Sequence, residues 1–257
     1  MNKQEIVTKL LPYFLHEDKR YEEVSIPQNY DEARSLLRGL INMRDAKPID
    51  EDILHLESEL LDLELKEKKI TDVNDIPLVE DKISIWQGDI TTLKIDAIVN
   101  AGNSALLGCF IPNHSCIDNA IHTYAGIRLR LACQEIMKGY ELEVGEAIIT
   151  QGYQLPSKSI IHTVGPIVDG HLTQDNVLDL EKCYFNCLEL ARKNKIKTIA
   201  FPCISTGVFH FPKDKASEIA VKTVKKYLEK YPDSFLKIVF NVYIEEDKKC
   251  YERLFKS

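Results

Sequence analysis

The chain has 257 residues, 44% of them hydrophobic, and a formal net charge of −7. That apolar content is enough for one full α/β core plus a smaller appendage. The acidic balance excludes a general nucleic-acid binder, which needs a basic face to neutralise phosphates, and no run of about 18 apolar residues is present to span a membrane.

The N-terminus, Met1 to Glu5, carries acid early and lacks the apolar core of a signal peptide, so the expected location is the cytoplasm. Ile6, Val7, Leu10, Leu11, Phe14 and Leu15 then trace one helical face; Ala33, Leu36, Leu37, Leu40 and Ile41 trace a second; Ile53, Leu56, Leu60 and Leu63 fit a third, richly charged helix. Pro27 and Pro48 punctuate the gaps, and Thr71 to Pro77 reads as a linker. The expected division is a helical N-terminal extension with its linker over 1–75 and a second domain over 76–257.

From about residue 82 the period changes. Short apolar runs at Ile83–Ile85, Asp96–Asn100, Ala147–Ile149, Ile160–Val164, Thr198–Phe201 and Ile238–Tyr243 predict buried strands. Between them lie helical faces: Leu180, Tyr184, Cys187, Leu188 and Ala191, then Ala216, Ile219, Ala220, Thr223, Val224, Tyr227 and Leu228. Tyr251, Leu254 and Phe255 close a last helix. Apolar strands alternating with amphipathic helices predict an α/β fold with a sheet covered on both faces. Its ligands bind at loops beyond the strand carboxyl ends. Of the seven cysteines, Cys183 and Cys187 read as small buried hydrophobes. An odd count without an export signal is no disulfide framework.

Three of the loops carry unusual residues. Gln87-Gly88-Asp89-Ile90-Thr91 and Asn100-Ala101-Gly102-Asn103-Ser104 are each compatible with plain turn chemistry. Ile204-Ser205-Thr206-Gly207-Val208-Phe209-His210 places small residues between a strand and a helix, where backbone N–H groups can approach a phosphate. It lacks the Gly-Lys-Ser/Thr ending of a Walker loop. With Ala120 to Gly126 and Ile161 to Pro166, and in this order, these segments closely resemble the macrodomain family over roughly residues 82–256. The resemblance implies a three-layer α/β/α sandwich with a mixed sheet and a cleft for ADP-ribose. It also implies that Asp89 takes the adenine amino group with Ile90 beside it. Ser205, Thr206, Gly207, Val208 and Phe209 would wrap the diphosphate, and Asn103 would touch the distal ribose. The residue chemistry agrees: a carboxylate accepts from an exocyclic amine, and a pyrophosphate needs backbone donors more than it needs Lys.

One loop departs from the usual glycine run. Gly108 to Asp118 contains Cys109, His114 and Cys116 in a C-x4-H-x-C spacing. Two thiols and an imidazole are the ligands zinc prefers, and three of them leave a tetrahedral ion one open position. The segment resembles a bacterial and fungal macrodomain subclass that holds zinc here and carries a helical N-terminal extension. In bacteria that subclass is often linked to a sirtuin-type ADP-ribosyltransferase and its carrier-protein target. Asp118 matches the catalytic Asp of hydrolytic macrodomains; its plain alternative is a helix N-cap. His162 and His122 read as satisfied core histidines, and Trp86 as core or near the sheet edge.

The expected activity is zinc-assisted hydrolysis releasing ADP-ribose from an ADP-ribosylated protein, with Asn103 and Asp118 catalytic. A non-catalytic ADP-ribose reader and an O-acetyl-ADP-ribose deacetylase stay open as alternatives. The helical extension could bind the carrier protein or brace the fold.

Overall fold

A computed structural model describes residues 1–21 and 23–256. Three helices open the chain: α1 (Lys3–His16), α2 (Tyr30–Met43) and α3 (Glu51–Glu67). Asn2 caps α1 in a reciprocal capping box with Glu5, and Asn29 caps α2. The predicted face of α1 is buried along its whole length. In α3 the buried residues are Leu54, Glu57, Leu60 and Leu61, a stripe turned from the predicted Ile53/Leu56/Leu60/Leu63 set. The turn brings Glu57 and Leu61 under Gly126, against the second half of the chain.

The stretch predicted as a linker is instead structural. Thr71–Asp72 forms a short strand, β1, parallel to β3 (Leu93–Lys94), and Val73 and Ile76 are buried. Its turn residues look like a linker locally; its strand partner lies 22 residues on, Thr71 opposite Leu93.

The main sheet has six strands: β2 (Ile83–Gln87), β4 (Ala97–Gly102), β5 (Ala147–Gln151), β6 (Ser159–Val164), β7 (Thr198–Phe201) and β8 (Lys237–Val242), in the order β2-β8-β7-β4-β6-β5. Only β5 runs antiparallel, so the sheet is mixed as predicted. Trp86 lies on the edge strand β2.

Side chains alternate between two cores. One face takes Val99, Ile161, Ile199, Phe201 and Phe240 against α6 (Gln174–Lys193), α7 (Lys213–Lys230) and Tyr251 of α8 (Glu245–Glu252). The other takes Ile98, Ile160, Ala200 and Val239 against α4 (Ile117–Ala125) and α5 (Ile127–Met137). Cys183 and Cys187 are fully buried in the first core, as expected. The last helix ends before Leu254 and Phe255, which pack on that core from beyond it. The N-terminal helices form a third cluster outside α4 and α5, entered by Ile127. No helix among the described residues is long and apolar enough to cross a membrane.

Candidate active site

The five parallel strands place their carboxyl ends along one edge of the sheet. Strand order reverses between β4, which neighbours β6, and β7 on its other side. Such a switch point opens a crevice, and ligands of α/β sheets bind there. The Asn103 loop follows β4, the Ser205 loop follows β7, and Asp89 follows the edge strand β2. From β2 to β4 is roughly 14 Å, three strand spacings of about 4.8 Å. The loops therefore outline an elongated trough.

At its β2 end, Asp89 Oδ1 accepts from Thr91 N at 2.9 Å and Thr91 Oγ1 at 2.6 Å. Asp89 Oδ2 lies 3.9 Å from Lys68 Nζ, and the side chain is 41% exposed. Ile90 is buried in the core beside Leu93 and brings little side-chain surface to the trough. In the middle, Ser205 takes a left-handed conformation, φ 65°, and Phe211 N donates back to its carbonyl at 3.0 Å. Phe209 O accepts from Val168 N at 2.9 Å, tying this loop to the one after β6. Thr206 Oγ1 is spent on Cys203 O at 3.0 Å. The N–H groups of Gly207, Val208 and Phe209 have no acceptor among the described residues. Three consecutive free donors beside the start of α7 make an anion-binding surface.

At the β4 end, the Asn103 side chain is committed to its own loop: Nδ2 donates to Gly108 O at 3.1 Å and Oδ1 accepts from Ala105 N at 3.2 Å. Gly108 has φ +82°, and a Cβ there would meet His122 Cγ at 2.8 Å, so only glycine lets this loop close over α4. The N-cap of α4 is Cys116, whose Sγ accepts from Asn119 N at 3.4 Å. The capping alternative for Asp118 is thereby corrected, because Asp118 already lies inside the first turn.

Asp118 is buried, and its Oδ1 accepts from Asn100 Nδ2 at 2.8 Å. Burial pushes its carboxyl up to about 6. Oδ2 takes no hydrogen bond among the described residues. Asn100 sits in β4 with no exposure and was not singled out from the sequence; a lone amide in an otherwise apolar strand was the available signal.

The two buried histidines differ. His162 is satisfied as expected, by Asn100 Nδ2 at 3.2 Å and Thr150 Oγ1 at 2.8 Å, and burial holds it down at about 3. His122 is not: among the described residues neither ring nitrogen has a hydrogen-bond partner, and Nε2 stands 3.6 Å from Asp118 Oδ1. Burial and the neighbouring His162 lower its pKa, so it is a neutral ring beside the carboxylate.

Cys109, His114 and Cys116 are brought together, their ligand atoms within 4.8 Å of one another. Cys109 Sγ lies 3.6 Å from His114 Nδ1. A tetrahedral zinc with ordinary bond lengths sets such a pair roughly 3.5 Å apart. Burial, with the Cys109 thiol adding to it, pushes Cys116 up to about 11, so a bound metal would displace its proton. A second cluster, His122, Cys133 and His162, is fully buried, and both His162 nitrogens are already engaged.

Residues 99–220 match the Macro domain family. A protein-ADP-ribose hydrolase of Treponema medium is 45% identical over 251 residues, covering 95% of this chain and 96% of that one. A protein-ADP-ribose hydrolase of Staphylococcus aureus is 47% identical over 249 residues, covering 94% and 92%. Among solved structures, a Trypanosoma brucei macrodomain in complex with ADP-ribose superposes with a TM-score of 0.67 at 29% identity, covering 85% of this chain and 95% of that one. With near-complete overlap in sequence and the same sheet in space, this chain belongs to the macro domain family.

Proposed function

We propose that this chain is a hydrolase that releases ADP-ribose from modified protein side chains. The observation that carries the reading is the Asp118 carboxylate. It is buried in the first turn of α4 against Gly102 at the end of β4, fixed through one oxygen by Asn100 and, among the described residues, free at the other. A module that only reads ADP-ribose needs no such group. The trough, its three free N–H donors and the name borne by the full-length relatives supply the ligand class.

ADP-ribose would lie along the trough with adenine at Asp89, diphosphate on the Gly207–Phe209 amides and distal ribose over the Asn103–Gly108 loop. Asp118 Oδ2 accepts a hydrogen from the attacking water and orients its lone pair at the anomeric carbon. The water oxygen bonds to that carbon as its proton passes to Asp118, the bond to the protein side chain breaks with its electron pair going to the side chain, and the proton passes on from Asp118 to the departing side chain. Asn103 acts by holding the loop under the ribose, since both ends of its amide are bonded within that loop.

Zinc on Cys109, His114 and Cys116 is part of the reading, supported by the donor chemistry and the 3.6 Å sulfur–nitrogen separation. Held by these three residues, zinc would supply Lewis-acid polarisation of a water or sugar hydroxyl. A sirtuin-type transferase is the kind of enzyme that would supply the modified protein.

The test is to incubate the protein with a mono-ADP-ribosylated target and follow free ADP-ribose. The wild type turns over many equivalents; Asp118→Ala loses roughly 100-fold or more, and Asn103→Ala loses most of the rate. A wild type that binds ADP-ribose but releases none from Asp/Glu-, Ser- or Arg-linked targets is a reader or, if it cleaves O-acetyl-ADP-ribose, a deacetylase. Elemental analysis should find about one zinc per chain; full activity without zinc overturns the metal part.

A further inference from the structure

The metal loop has no helix or strand of its own, and several of its backbone groups are held by side chains from elsewhere. Arg38 of α2 reaches it with one nitrogen: Nη2 donates to His114 O at 3.2 Å and to Asn119 Oδ1 at 2.7 Å. Asn119 in turn donates to Ile111 O at 3.0 Å and Cys109 O at 3.4 Å. One turn further along α2, Asn42 accepts from Asn113 N at 3.0 Å and donates to Thr123 Oγ1 at 3.2 Å. Asn113 stands at φ 54°, and its own Nδ2 donates to Ser35 O, also on α2. Asn42 and Asn119 are completely or almost completely buried.

We infer that Arg38 and Asn42 are positioning residues for the metal loop: they hold the backbone at Asn113 and His114 in the arrangement that brings Cys109, His114 and Cys116 together. The N-terminal helices are then one wall of the metal site. The inference rests on the zinc reading and adds that zinc affinity is set in part outside the ligand set. Loop residues that must be fixed before a metal can bind lower its affinity when they are loose, because binding then has to order them. Arg38 is suited to the task, since a single guanidinium nitrogen bridges the loop carbonyl and the α4 amide.

The test uses the full chain and competition with a chromophoric zinc chelator. Arg38→Met, which keeps the aliphatic stem, and Asn42→Ala should each bind zinc about tenfold or more weakly than the wild type, the usual scale for losing an outer support. Both should show faster hydrogen exchange at the Asn113 and His114 amides. Arg38→Lys should recover part of the affinity. Arg34→Met is the control: Arg34 lies on the same helix but pairs with Glu64 of α3 at 2.6 and 3.0 Å, so its loss should lower the melting temperature and leave zinc affinity alone. A wild type that binds zinc while Arg38→Met and Asn42→Ala bind it equally well overturns this inference only. So does an Arg34→Met that loosens zinc as much as they do, since that is general destabilisation. A wild type that binds no zinc overturns the zinc reading and this inference with it.

Discussion

Asp89 and Asp118 are both carboxylates at the mouth of the sheet, and their surroundings separate their roles. Asp89 is partly exposed, with one oxygen spent on Thr91 and the other facing a lysine. It can accept from a ligand amine without a large desolvation cost. Asp89→Ala should weaken ADP-ribose binding by about 1–3 kcal/mol, the scale of a hydrogen bond to a charged group, with the melting temperature close to wild type. Unchanged calorimetric affinity would show that adenine is held some other way. The candidate site residues were read from the order of their loops along the chain and the family resemblance that order carries, since each loop alone passes for a plain turn. Their supports were not. Asn100, Arg38, Asn42 and Glu57 look like ordinary strand and helix residues, and acquire roles only through partners between 18 and 81 positions away.

The elements were legible where one face is buried and ambiguous where two are. α1 packs one stripe, and its period is clear. α3 is shared between the helical cluster and α5, so its buried residues wrap around it and include a carboxyl group. α2 carries Gly39 in its interior, where a helix pays the largest backbone entropy. A Cβ there would meet Asn113 Nδ2 at 3.4 Å and Pro112 Cβ at 3.5 Å, which is ordinary contact. Gly39→Ala should therefore stabilise the protein by about 0.5–1 kcal/mol, read as a higher denaturant midpoint. A lower midpoint would mean that the Pro112–Asn113 segment presses on α2 more tightly than these distances allow.

Across the whole molecule, the helical extension and the α/β part meet through buried polar groups, which makes their union sensitive to pH. Glu57 of α3 accepts from Ile127 N, at the start of α5, at 2.9 and 3.2 Å. Burial raises its pKa to about 7, against the partial relief of that backbone bond and of Arg34, Arg130 and Arg128. A carboxyl raised from its ordinary value of 4.5 binds its proton more tightly when folded. Its contribution is fully present below about 4.5 and is lost as pH rises through 7, on the order of 3 kcal/mol in all. Glu57→Gln keeps an acceptor for Ile127 N without a charge. It should flatten the stability profile across this window and exceed the wild type in urea midpoint above pH 7. Parallel profiles for the two proteins would rule this account out.

The edge strand β2 has a consequence for how the protein is made. Among the described residues its neighbour in the sheet is β8, with Ile83 set opposite Ile238. Helices α1 to α3 contact one another locally and can assemble as they leave the ribosome. β2 emerges soon after them, but must wait for nearly the whole remaining chain before its partner exists. Asp89 sits immediately beyond β2, so the Asp89 end of the candidate site is the last part to be built. A nascent chain released short of β8 would carry the Cys109–Cys116 loop and the α2 helix beside it, yet leave an apolar strand edge open to other chains.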